Sequence, residues 1–222
     1  MKGETMKEQR MALLGGIAAL SFAIAVIAFG SMLDDFRQSQ DPIALLGAAT
    51  VPRALAFNVF AFLLPGALAA WIAMALRSAL PNDARWAPRI GARLVLLATL
   101  AFAAQGLLPL DPGDLEAPAT RLHATSWTLW WIAFVPGALL LAAAPRGTGA
   151  RRGLASISVL SALLILVFAA SPWQWLQPGV TQRVAYAVWF GWLLGCGTVV
   201  DAMRATNRGA ASAARSSPPA RR

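Results

Sequence analysis

The stretch "QGLLPLDPGDLEAPATRLHATSWTLWW", Gln105 to Trp131, holds the chain's single histidine, His123, together with Asp111, Asp114, Glu116 and Arg121. One imidazole among carboxylates raises three chemistries: a metal site, general acid-base work, and an ion-paired turn. Catalytic zinc takes three protein ligands with an open position, and the pattern of two histidines plus a carboxylate needs a second histidine that is not there. A calcium loop places oxygens at alternate positions around a Gly turn, and Asp111, Asp114 and Glu116 do not follow that spacing. No metal and no cofactor are expected, and a haem held by two histidines is excluded.

Hydrolysis has its parts within reach. Ser126 follows His123 by three residues and shares its helix face, and Asp111 or Asp114 could orient the imidazole, giving nucleophile, base and orienter. No Gly-x-Ser-x-Gly elbow accompanies them. His123 could also serve alone as an acid or base, because its ordinary pKa lies near neutrality. An enzyme is thus the alternative reading, with His123, Asp111 and Ser126 as its candidate catalytic residues, and a non-enzymatic component is preferred.

What positions these residues is written in the hydropathy. The 222-residue chain is 58% hydrophobic and only 13% charged, about half the charge of a soluble domain. Its apolar residues come in uninterrupted runs near the roughly 20 residues that cross a bilayer as helix. Barrel strands would alternate apolar and polar, and lipid leaves the backbone no external hydrogen-bond partner, so helices are required. The expected architecture is all-α: an integral membrane six-helix bundle over residues 1–205, with spans at about 11–30, 54–75, 94–110, 124–144, 154–171 and 184–203. Residues 206–222, small, polar and basic, are expected as a disordered tail. Signal-peptide cleavage after the first run is disfavoured by its length and by the acids ahead of it.

Lysine and arginine fix the expected orientation, because cytoplasmic segments retain positive charge. Fifteen of the nineteen fall in the N-terminal segment, the second-to-third and fourth-to-fifth loops, and the tail. Arg37, Arg53, Arg121 and Arg183 are the remaining four, whereas Asp34, Asp35, Asp41, Asp111, Asp114 and Glu116 lie in those outer loops. Both termini are therefore expected in the cytoplasm. The net charge of +9 then belongs to topology and anionic lipid headgroups rather than to nucleic acid. Cys196, the single cysteine, lies inside an apolar run and reads as a small buried hydrophobe. Asp201 and Arg204, three residues apart near the inner end of span six, read as an ion pair.

With this topology Asn58, Gln105, His123 and Arg183 share a level near the outer leaflet, and Tyr186 lies one turn deeper than Arg183. Polar groups in membrane segments face the bundle interior, pair with each other or line a wet cavity. Contributions from four helices at one depth therefore suggest a common outward pocket. Its candidate ligand-binding residues are Asn58, Gln105, Asp111, Asp114, His123, Arg183 and Tyr186. The partners expected are membrane lipids and a lipid headgroup or small polar ligand. A purely structural alternative has Arg183 paired with Asp111 or Asp114, and His123 as a further hydrogen-bond partner.

The order "IALLGA" (Ile43 to Ala48), Asn58 early in span two, "LLPLDPG", "LHATSW" and "QRVAYAVWFGWLL" resembles the bacterial membrane family called domain of unknown function 998. The resemblance runs to about residue 205 and is carried most by Pro109, Asp111, Pro112, Gly113, His123 and Arg183. It implies a multi-pass membrane fold and leaves the activity unassigned. Two further features bear on packing. Pro65 and Pro136, each followed by Gly, should kink their spans and free backbone carbonyls. Trp127, Trp130, Trp131, Trp173 and Trp175 should serve as depth anchors at the outer interface.

Overall fold

An apolar helix end leaves four N–H or four C=O groups without intrahelical partners, so a bundle of such helices must meet that demand from its own side chains. The structure, a computed structural model, describes residues 9–81, 84–143, 149–170 and 176–216. Six helices are long and apolar enough to cross a membrane. They are α1 (Arg10–Gly30), α2 (Ala54–Ala79), α3 (Trp86–Leu107), α4 (Pro118–Ala142), α5 (Gly149–Ala170) and α6 (Pro178–Ser216). No strand occurs among the described residues. Trp173 and Trp175 lie outside them.

The expected spans are all present, with displaced ends. α3 starts eight residues before the expected 94 and stops at Leu107, because Leu108 precedes Pro109 and a residue before proline is driven out of the α region. α4 begins at Pro118 rather than 124, using proline where a first-turn N–H has no partner to lose. His123 therefore stands inside the helix instead of at its mouth. α6 continues to Ser216, so helix extends into residues 206–216, where an unstructured tail was expected; that stretch is rich in Ala and Arg, both strong helix formers.

Each helix packs against its sequence neighbours, and α6 closes the ring onto α1 while also touching α2. α2 and α6 are the most enclosed helices, α1 and α5 the least. α1 accordingly turns Leu13, Ile17, Leu20, Ile24 and Ile27 outward, an apolar stripe at helical spacing suited to lipid. Helices α3 and α4 share the most extensive contact in the bundle. A Cβ on Gly91 would lie 2.7 Å from the Gly137 carbonyl oxygen, and one on Gly137 would lie 3.1 Å from that of Gly91. Small residues on both sides permit this backbone approach.

Pro65 acts as expected, by a specific route. Val59–Leu63 forms a π turn in which the Leu64 N–H bonds the Val59 carbonyl. In that register the Phe60 carbonyl would look to residue 65, a proline without an N–H. Ser21 of α1 supplies the missing donor, its hydroxyl lying 2.7 Å from the Phe60 oxygen.

Asp201 departs from expectation. Its carboxylate accepts the Met11 and Ala12 N–H groups at 2.9 and 3.0 Å, while Arg204 reaches the Ser78 hydroxyl at 3.4 Å. A carboxylate at a helix N-terminus satisfies orphan donors and complements the helix dipole. Asp201 thus joins α6 to the start of α1 instead of pairing with its neighbour. Asp201→Ala is expected to destabilise by about 1–2 kcal/mol, read as a lowered thermal midpoint in detergent, with Arg204→Ala close to wild type.

Candidate functional site

The loops 31–53 and 108–117 lie at the acid-rich end of the bundle, where α3 ends and α4 and α6 begin. The first loop carries a 3₁₀ turn, Ile43–Gly47, whose Ile43, Ala44, Leu46 and Gly47 are buried. The Asn58 amide donates to the Gly47 carbonyl at 3.0 Å. A Cβ at residue 47 would lie 2.0 Å from the Asn58 side-chain oxygen, so this contact requires glycine. Gln182 at the start of α6 accepts the Ile43 N–H at 2.8 Å. Together these bonds seat the loop on α2 and α6.

Arg183 completes that seat. Its guanidinium donates to Gln38 Oε1 at 2.8 and 3.1 Å, to the Asp41 carbonyl at 3.0 Å and to the Gly179 carbonyl at 2.8 Å, and it stacks over Phe36. Gln38 in turn donates to Val26 near the end of α1. Arg183 therefore clasps the first loop to α1 and α6. The alternative pairing with Asp111 or Asp114 is not formed: among the described residues the ion pair present joins Arg121 to Glu116, both exposed.

The two acids turn the second loop. Asp111 accepts the Gly113 N–H and Asp114 that of Glu116, each at 2.9 Å, in the side-chain-to-backbone turns typical of aspartate. The buried Thr120 hydroxyl accepts the Asp111 N–H at 3.1 Å and lies 3.0 Å from the Asp114 carbonyl. The proline-glycine pair following Asp111 thus sits in a tied turn beside α4.

His123 is 7% exposed. Its Nδ1 lies 2.8 Å from the Leu108 carbonyl and 3.2 Å from that of Gln105. Two acceptors require Nδ1 to carry the proton, which leaves Nε2 with its lone pair in the neutral ring. His123 thus reaches across from α4 to cap the carboxyl end of α3. Main-chain carbonyls occupy the orienting position expected of an aspartate, and Ser126, buried on the same helix, makes no hydrogen bond to the imidazole.

Gln105 carries the polar centre inward. Its Oε1 accepts the Tyr186 hydroxyl at 2.7 Å, both residues being fully enclosed. Its Nε2 is buried without a hydrogen-bond partner, as are Nε1 of Trp130 and Nε1 of Trp189. These side chains belong to one aromatic cluster. The Trp130 ring lies 5.0 Å from Tyr186 and 5.8 Å from Trp189, and Trp127 lies 5.2 Å from Tyr186. Trp130, expected at the interface, is in the core because α4 starts earlier and carries it deeper; Trp127 and Trp131 pack against that core half-buried. The cluster of unpartnered donors was not foreseen, since a tryptophan in an apolar run gives no sign of whether its N–H finds an acceptor.

The candidate residues thus divide. Gln105, His123 and Tyr186 are linked by hydrogen bonds, whereas Asn58, Arg183, Asp111 and Asp114 secure the two loops around them. Gly106, next to Gln105, packs against the Asn58 carbonyl and Phe62, which brings α2 against the same point. Among the described residues no three His, Cys, Asp or Glu side chains gather as a metal site.

A ring of six apolar helices closed by buried polar links is a multi-pass membrane protein. The family described as protein of unknown function (DUF998) matches residues 16–199, and the chain belongs to it. No curated protein and no solved structure matches the chain.

Removing the Tyr186 hydroxyl leaves the Gln105 oxygen buried without a donor, at a cost of about 1–3 kcal/mol. Tyr186→Phe should lower the unfolding midpoint accordingly. In Tyr186→Phe/Gln105→Leu the loss should be smaller than the sum of the single losses, as a double-mutant cycle in detergent would show.

Proposed function

We propose that the protein is a non-enzymatic component of a bacterial inner membrane, with both termini cytoplasmic. In this reading it binds a lipid headgroup or a small polar ligand between α3, α4 and α6 at an outward-facing, acid-rich end. The observation that carries the proposal is the Gln105 amide: Nε2 is a buried donor with no acceptor, held in place because Tyr186 fixes the other side of the same group. An unpaired buried donor costs about 1–3 kcal/mol, and an oxygen of a bound molecule would return it. His123, bonded to the Gln105 carbonyl through Nδ1, keeps Nε2 as an acceptor, so the ligand chemistry that fits combines a carbonyl, phosphoryl or hydroxyl oxygen with an O–H or N–H group. Trp127, Trp130 and Tyr186 supply apolar walls. The distribution of lysine and arginine supports the orientation.

Native mass spectrometry of the purified protein tests this. Wild type should retain one small molecule, Gln105→Leu should lose it, and removal of residues 206–222 should leave it bound. A wild type free of ligand, with Gln105→Leu more stable than wild type, would reduce the amide to an uncompensated cost and end the proposal. A second reading, a hydrolase or transferase, is favoured by one observation: Nδ1 is tied to carbonyls, leaving the His123 Nε2 lone pair available as a base. It requires turnover that disappears in a folded His123→Ala variant.

A further inference from the structure

At the opposite, basic end of the bundle, α2 ends and α3 begins around a cavity of about 240 Å³ lined by Arg77, Leu80, Pro81, Arg89 and Arg93. Three guanidinium groups from two helices line one space, and its described lining holds no carboxylate. From Arg77 to Arg93 the sequence contains four arginines and one acid, and Arg77 and Arg93 bring two of those charges to one cavity from two helices. Like charges at such a site are stabilised by a shared anion, and arginine matches phosphate oxygens with paired N–H donors.

The surroundings of Arg93 say which kind of anion. On α3 the exposed side chains Trp86, Ile90, Arg93, Leu97 and Leu100 recur at alternating steps of four and three residues, one face of a helix. Arg93 is exposed and falls in the middle of that sequence of steps. It therefore interrupts a stripe suited to hydrocarbon, about two turns along α3 from Trp86, a residue of the kind that sits at headgroup depth. An anion meeting Arg93 would carry its apolar part naturally along Leu97 and Leu100.

We propose that Arg77, Arg89 and Arg93 form a binding site for the phosphate of an anionic phospholipid, whose acyl chains run along the exposed stripe of α3. The site is independent of the one proposed around Gln105, which lies about 18 Å further along α3 at 1.5 Å per residue. The phosphate could equally belong to a soluble molecule, and the experiment separates the two sources.

Wild type is reconstituted in nanodiscs of phosphatidylcholine with phosphatidylglycerol, released into mild detergent and examined by native mass spectrometry. Wild type should hold one phosphatidylglycerol in preference to phosphatidylcholine. Arg77→Gln/Arg93→Gln should weaken that retention about 30-fold, since each arginine near an anionic headgroup contributes about a factor of five. Arg77→Gln and Arg93→Gln singly should each show about one such factor, which keeps the test open if the double variant fails to fold. Arg151→Gln, which removes an exposed charge at the start of α5, should change nothing. Equal retention of the two lipids by wild type, or equal loss in Arg151→Gln, would reduce the site to general surface charge and overturn the proposal. Displacement of the lipid by added inorganic phosphate would overturn its lipid source.

Discussion

Hydrocarbon gives a peptide group nothing to bond with, and the architecture of this chain follows from how it meets that constraint. Several backbone groups near helix ends or a helix irregularity are met by a side chain from elsewhere in the sequence. Ser21 reaches Phe60 in the π turn, Asp201 reaches the start of α1, His123 reaches the end of α3, and Gln38 reaches the end of α1. These links join α1 to α2, α6 to α1 and α4 to α3, the same neighbours that form the closed ring. Apolar packing between such helices has little preference for one partner over another, because lipid is as apolar as leucine. Polar links of this kind supply the preference, and His123 and Asp201 are two of the buried polar side chains that make them.

Seen this way, the split within the candidate site has a physical meaning. Asn58, Asp111 and Asp114 each hydrogen-bond the main chain of the two loops, and Arg183 divides its donors between the Gln38 side chain and main-chain carbonyls. Gln105 and the two tryptophan N–H groups retain theirs. The buried groups with hydrogen-bonding capacity left are therefore not the charged ones.

The six spans and the depth at which polar residues gather were legible because both depend on hydropathy summed over many residues. Helix ends were less so. Leu108 before Pro109 and Pro118 at the first turn of α4 are local steric signals, outweighed in the sequence by the apolar residues around them. Hydrogen-bond partners were least legible. Arg183 invited a carboxylate and Asp201 an arginine, since charges advertise themselves in a sequence, but both found backbone groups, which every residue possesses and none displays. The Tyr186 to Gln105 bond joins residues on separate helices, and no spacing could announce it.

The π turn in α2 sets the phase of one half of the helix against the other. A π turn holds one residue more than an α turn, and each residue rotates the helix by about 100°. The half of α2 at the acid-rich end of the bundle, with Asn58 against Gly47, is therefore offset in phase from the half that leads to Arg77. A single inserted residue of this kind lets one helix present two unrelated faces to its surroundings. The loop seat at one end and the arginine cluster at the other therefore occupy faces rotated from those that an uninterrupted α-helix would give them.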